Sequence, residues 1–122
     1  RLLSYVINNL KFYSNKKICS SVIDTEALNS VQANLEDIDG FTEFLRSIKN
    51  VEISFLITEQ ADGSFRVNFR SKGQYIINDV AAHFGGGGHK FAAGCKITNS
   101  NIIEIEEKIV NLLTIKMEEH VN

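Results

Sequence analysis

The chain has 122 residues, enough for one domain with a modest core, and 43% hydrophobic with 23% charged residues is the balance of a folded protein rather than a disordered one. A formal net charge of −2 at pH 7 excludes the broad basic surface that grips long duplex nucleic acid through its phosphates, but leaves room for a local basic pocket. No apolar run is long enough to span a bilayer and no signal-peptide pattern opens the chain, so no membrane partner is expected and the cytoplasm is the expected location.

Cys19 and Cys95 lie far apart and form no CxxC pair, which indicates neither a zinc ribbon nor a disulfide framework; both are expected to be reduced and buried. Arg1 stands where an initiator methionine would, and helical periodicity starts at once, so the chain is expected to be an excised piece of a longer protein.

Leu2, Leu3, Val6, Ile7 and Leu10 repeat at helical spacing and predict an amphipathic helix over 2–13, with residues 1–14 serving as a connector. Residues 17–23 read as a buried strand, and Asp24 or Thr25 caps a helix over 25–34. Phe41, Phe44, Leu45 and Ile48 mark the next helix, with Arg46 turned away from the apolar face and free to act. Asp37 and Asp39 stand before that helix and are read as capping it, not as paired catalytic carboxylates.

Val51, Ile53, Phe55 and Ile57 alternate, as do Phe65, Val67 and Phe69 beyond Asp62-Gly63, which predicts a hairpin. Arg66, Asn68 and Arg70 then share the opposite, polar face. Ile77, Val80, Ala81 and Phe84 fit a helix that Gly85 ends in a left-handed conformation. Residues 93–98 return as a strand, and Ile102, Ile105, Ile109 and Leu112 or Leu113 mark a closing helix to about residue 118. The expected fold is α+β: a mixed sheet of about four to five strands packed with helices, in a single domain over 1–122.

The segment Gly85–Gly94, GGGGHKFAAG, carries the strongest chemical signal. Without side chains, Gly86, Gly87 and Gly88 let backbone N–H groups approach an anion, while His89 and Lys90 add donors beside it. The other reading is a tight connection that needs glycine for geometry alone. A nucleoside-triphosphate P-loop is excluded because Phe91 follows Lys90, and the dinucleotide fingerprint because Lys90 takes its third glycine position. Arg70, Ser71, Lys72 and Gly73 end the second hairpin strand, where side chains can converge on a ligand. Three anion-binding elements, Arg46, the RSKG segment and the glycine run, suggest one pocket. His83, His89 and Cys95 match no common metal-ligand spacing, and His120 reads as solvated in a charged tail.

GGGGHKFAAG resembles the GGGH-x-x-AAG signature of the DHH-associated domain, the C-terminal substrate-binding domain of DHH-family phosphoesterases. The resemblance runs through GFTEFLRSIKNVEISFLI, RSKG and INDVAAHF, covers about residues 1–115, and follows the order of the nanoRNase (NrnA)-like branch, the bifunctional oligoribonucleases and pAp phosphatases. It implies that Arg46, Arg70, Ser71, the Gly86–Gly88 backbone and His89 hold the phosphate or terminal nucleotide of a short RNA or a pAp-type nucleotide; Lys72 and Lys90, from the residue reading of the RSKG segment and the glycine run, complete the candidate phosphate-binding set. It also implies an N-terminal DHH domain that binds two divalent ions, usually manganese, and a parent that can form a homodimer. No Asp-His-His motif occurs in this chain, so no catalytic residue, metal ligand or cofactor is assigned to it. Phe91 and Leu45 depart from residues common in the family and leave the substrate open. A cyclic-dinucleotide phosphodiesterase would use the same module, and the related C-terminal domain of alanyl-tRNA synthetase implies that the fold can serve nucleic-acid binding alone.

Overall fold

The computed structural model describes residues 2–31 and 34–120. Helix α1 (Leu2–Asn8) leads into an edge strand β1 (Lys11–Tyr13), and the chain turns back through Ser14, Asn15 and Lys16 into β2 (Ile18–Ile23). All three turn residues have positive φ, a conformation that small polar side chains tolerate best. The helix expected over 2–13 therefore stops at Asn8, and 11–13 pair with 18–20. The apolar spacing that marked the helix ends at Leu10, and Phe12-Tyr13 is a pair of β-formers.

Two helices follow on one side of the sheet: α2 (Thr25–Val31), with Asp24 Oδ1 accepting from Ala27 N at 2.8 Å, and α3 (Leu35–Ser47). Asn34 and Asp37 close a reciprocal capping box at the start of α3, so Asp37 does cap. The chain then forms the hairpin β3 (Ile53–Glu59) and β4 (Phe65–Ser71), helix α4 (Asn78–His83), strands β5 (Gly87–His89) and β6 (Ala92–Ile97), and α5 (Ile102–His120). The end of the range expected for α2 falls on residues 32–33, outside the described residues, and of the His120 side chain nothing is described.

The six strands form one sheet in the order β1-β2-β3-β4-β6-β5, with β2 and β3 parallel and every other pair antiparallel. The architecture is thus the expected α+β mixed sheet, with six strands instead of four or five. The additional strands, β1 and β5, are three residues long, too short to show a period of two. One face of the sheet carries Phe55, Val67 and Phe69, all fully buried, and is covered by α4 and by the stripe Ile105, Ile109, Leu113 and Met117 of α5. The other face buries Cys19, Ile23 and Leu56 against Leu2 and Val6 of α1 and Ile38 and Leu45 of α3. Each buried aliphatic or aromatic side chain contributes about 1.5–3 kcal/mol, so both covers hold the sheet. Among the described residues no helix is long and apolar enough to cross a membrane.

On this second face lie Arg66, Asn68 and Arg70, as the alternation required. Arg66 is exposed there, but Asn68 and Arg70 are covered because α3 packs over β3 and β4. Ser54 and Asn68 are buried beneath this cover, and only 11% of the Arg70 side chain is exposed. The face opens again over β6 and β5, where His89 is exposed.

Candidate anion-binding site

Strand register brings two distant motifs into one row. Arg70 pairs with Ala92, and Ala92 pairs with His89 on its other side, so all three occupy one face. Two strand spacings place the backbones of Arg70 and His89 about 10 Å apart, with only the alanine methyl between them. A larger residue there would fill the space between them. The next row is Asn68, Gly94 and Gly87, with even less bulk.

Arg46 reaches the same end of the sheet from the last turn of α3, where a cation also complements the helix dipole. Its Nη1 donates to the Ser71 carbonyl at 3.4 Å and its Nη2 donates to Glu43. Arg70 donates from Nε to Glu43 Oε2 at 2.8 Å and from Nη1 to the Phe69 carbonyl at 2.9 Å; its Nη2 lies 3.6 Å from Asp39. Arg46 is therefore not free as expected: both arginines are joined by one carboxylate. The sequence reading passed over Glu43, although its place three residues before Arg46 on one helix predicts the pair.

The RSKG segment divides its labour. Ser71 faces the buried side of the sheet opposite Ile53; its hydroxyl donates to Tyr75 O at 2.5 Å and accepts from Gly73 N at 3.1 Å. Those bonds shape the turn in which Gly73 takes φ +121°. Lys72 donates to the carbonyl of Ile48 at 2.9 Å, closing the C-terminal end of α3. Ser71 and Lys72 thus fix the frame around Arg46 and Arg70, and the fold does not bring the Ser71 hydroxyl onto the row.

Most of the glycine run has a local explanation. Gly85 has φ +85° and its N–H donates to Ala82 O, while Gly86 N donates to Ala81 O, which ends α4 as expected. A methyl group on Gly86 would lie 2.2 Å from the Gly94 carbonyl oxygen and 2.6 Å from Cys95 Cβ; one on Gly88, whose φ is +142°, would lie 2.7 Å from Ala93 Cα. Gly87 differs: nothing lies within 4 Å of where its Cβ would be, and its φ is not left-handed. From Gly87 onward the run is an exposed edge strand, β5, rather than a loop, and Gly87 is the glycine of the run whose absence of side chain the fold does not use.

His89 and Lys90 are exposed, and neither side chain has a hydrogen bond or ion pair among the described residues. The Lys90 backbone is committed, its carbonyl accepting from Ile77 N at 2.8 Å. Phe91 stands beside them at the β5–β6 turn, 39% exposed, and its carbonyl accepts from Ser71 N at 2.9 Å. His83 meets Phe84 edge-on and belongs to α4. Burial pushes the thiols of Cys19 and Cys95 up to about 11, so neither is a nucleophile at neutral pH, and both are free and buried as expected. The site gathers two guanidinium groups, an imidazole and open backbone, with the Glu43 and Asp39 carboxylates against the arginines.

The six-stranded mixed sheet thus presents an arginine and a glycine-histidine edge in one row. The chain belongs to the DHHA1 domain family, whose model matches residues 15–116. It is 29% identical over 114 residues to the probable bifunctional oligoribonuclease and PAP phosphatase NrnA of Streptococcus mutans, covering 93% of this chain and 36% of that protein. An exopolyphosphatase-related protein from Bacteroides fragilis shares the fold with a TM-score of 0.77 at 28% identity, covering 98% of this chain and 34% of that one. The pGpG-specific phosphodiesterase PggH of Vibrio cholerae superposes with a TM-score of 0.67 over 94% of this chain and 38% of its own, at 14% identity, a likeness of fold alone. The chain spans about a third of the length of the relatives it matches.

Proposed function

We propose that this chain is the substrate-holding part of a phosphoesterase that hydrolyses short RNA oligonucleotides, pAp-type 3',5'-bisphosphonucleotides, or both. The observation that carries the reading is the row Arg70–Ala92–His89, with Arg46 at its end and Gly87 in the adjacent row. Arg46 and Arg70 take the phosphate oxygens, His89 donates from the far side, and the open backbone at Gly87 lets the anion approach. Phe91 offers an exposed aromatic face against which a base can stack. The S. mutans relative, named for both activities, supports this substrate class.

Among the described residues no three His, Cys, Asp or Glu side chains converge as metal ligands. The chemistry belongs to an upstream DHH domain of the same protein, against which this module holds the substrate. Positioning is a large part of such catalysis, since correct placement of reactants removes much of the entropic barrier. The parent is assigned to the cytoplasm, and dimerisation falls to the domain outside this chain.

Calorimetric titration of the chain with pAp and with a short RNA dinucleotide tests the reading, with Arg70→Ala and His89→Ala alongside. Saturable binding that both substitutions abolish is expected, with no turnover by the chain alone. Binding that survives both substitutions, or hydrolysis by the purified chain, refutes the assignment.

A further inference from the structure

The two arginines assigned to the phosphate already share an anion. One carboxylate, that of Glu43, bridges them with a separate oxygen for each: Oε2 accepts from Arg70 Nε at 2.8 Å and Oε1 accepts from Arg46 Nη2. This is the arrangement that two oxygens of a phosphate would adopt between two guanidinium groups. With Glu43 in place, every nitrogen of Arg70 is engaged, since Nη1 serves the Phe69 carbonyl and Nη2 faces Asp39 at 3.6 Å. Arg70 is 89% covered, whereas the Glu43 side chain is 45% exposed and its stem can rotate toward water without moving α3. The part able to leave is the carboxylate.

We infer that Glu43 is a resident competitor of the substrate phosphate, holding both guanidinium groups until an incoming anion displaces it. This inference rests on the reading of Arg46 and Arg70 as phosphate ligands and adds to it a residue that sets the affinity. Binding becomes an exchange of anions. Breaking the bonds of the carboxylate to the two arginines is the same step whichever phosphate arrives, so it weakens the apparent affinity for phosphomonoesters and phosphodiesters by the same factor. A terminal phosphomonoester, with close to two charges above its second pKa of about 6, is also repelled more strongly than a diester by the displaced carboxylate. Removing that charge therefore strengthens the binding of both, and of the monoester at least as much as of the diester. Asp39, 60% exposed and farther from Arg70, adds a smaller repulsion of the same sign.

The test uses two probes, adenosine 5'-monophosphate as the monoester and the dinucleoside monophosphate ApA as the diester, titrated at pH 7.5. The proteins are the unmodified chain, Glu43→Gln, Arg70→Ala, and Glu36→Gln. Glu36, also on α3 and exposed in its first turn, controls for net charge alone. Circular dichroism confirms folding of each. Loss of the competing charge predicts ApA binding about tenfold tighter in Glu43→Gln and a gain at least as large for the monophosphate, with Glu36→Gln unchanged. Detectable ApA binding only in Glu43→Gln supports the inference equally. Weaker or equal binding of both probes in Glu43→Gln, with Arg70→Ala still abolishing binding, overturns the competitor role and leaves the anion site standing. Full binding by Arg70→Ala, or none by either the unmodified chain or Glu43→Gln, overturns the anion site and this inference with it.

Discussion

Replacing Gly86, Gly87 and Gly88 one at a time by alanine separates what the fold needs from what a ligand needs. In Gly86→Ala the new methyl group would meet the Gly94 oxygen at 2.2 Å and the Cys95 Cα at 2.7 Å, backbone and near-backbone atoms that cannot swing aside. Overpacking of that kind costs about 1–3 kcal/mol. In Gly88→Ala a similar clash is added to a φ of +142°, and strain in that region costs about 1–3 kcal/mol more. Gly87→Ala meets nothing within 4 Å, so its stability should stay within about 1 kcal/mol, and the reduced freedom of the unfolded chain favours a slight gain. For a chain of this size each kcal/mol moves the thermal midpoint by about 3–6 °C. Thermal unfolding should therefore fall by about 5 °C or more in Gly86→Ala and Gly88→Ala and by almost nothing in Gly87→Ala. Titration with pAp should then show the reverse emphasis. If the anion lies against the backbone at Gly87, the methyl group displaces it and loses a charge-assisted hydrogen bond of about 1.5–3 kcal/mol, roughly a 10- to 100-fold drop in affinity. A Gly87→Ala protein that keeps both its midpoint and its affinity refutes the backbone cradle. A Gly87→Ala protein as unstable as Gly86→Ala refutes the steric argument.

Two further outcomes concern the scaffold. The thiols of Cys19 and Cys95, raised to about 11 by burial, should resist iodoacetamide at pH 8 in the folded chain and react on addition of denaturant; mass spectrometry that finds rapid native-state alkylation contradicts the burial. Lys11 Nζ lies 3.0 Å from Glu106 Oε1, while the other oxygen of Glu106 is buried without a partner among the described residues. Lys11→Met should cost about 1–3 kcal/mol in urea unfolding by stranding that carboxylate, and adding Glu106→Gln should recover part of the loss. The hydrogen bond to Glu106 also raises the Lys11 pKa above 10.5, so the contribution is complete below pH 10.5 and fades as pH rises through the higher folded value. A stability profile flat through that alkaline range in the unmodified chain, yet unchanged in Lys11→Met, argues against the pair.

Long periodic segments were legible without coordinates. The alternation of Ile53, Phe55 and Ile57 with Phe65, Val67 and Phe69 became β3 and β4 in register, and the apolar stripe from Ile105 onward became α5. Lys11–Tyr13 and Gly87–His89 escaped because their strand character comes from a neighbour's hydrogen bonds, not from their own pattern. In the candidate site, the sequence identified Arg46, Arg70 and the glycine-histidine run but not how they meet, because the row passes through Ala92, a residue with no chemical signal of its own. It also assigned Ser71 and Lys72 the same role as Arg70. Adjacent strand residues point to opposite faces, and that alternation sends the serine hydroxyl into the turn while leaving the arginine over the row. Glu43 was the larger omission: a carboxylate beside candidate phosphate ligands has no sequence signal for its second partner, since Arg70 lies 27 residues away and only the fold brings it to the same carboxylate.

The contacts that join α3 to the end of β4, Arg46 to the Ser71 carbonyl and Lys72 to the Ile48 carbonyl, give the site a dependence on local cooperativity. Arg46 and Arg70 belong to separate pieces of the polypeptide and meet only while α3 rests on the sheet. A ligand that needs both can bind only that docked arrangement, and by mass action it suppresses every fluctuation in which α3 lifts away. Hydrogen exchange in α3 thereby becomes a readout of occupancy at a site most of whose surface lies on other elements.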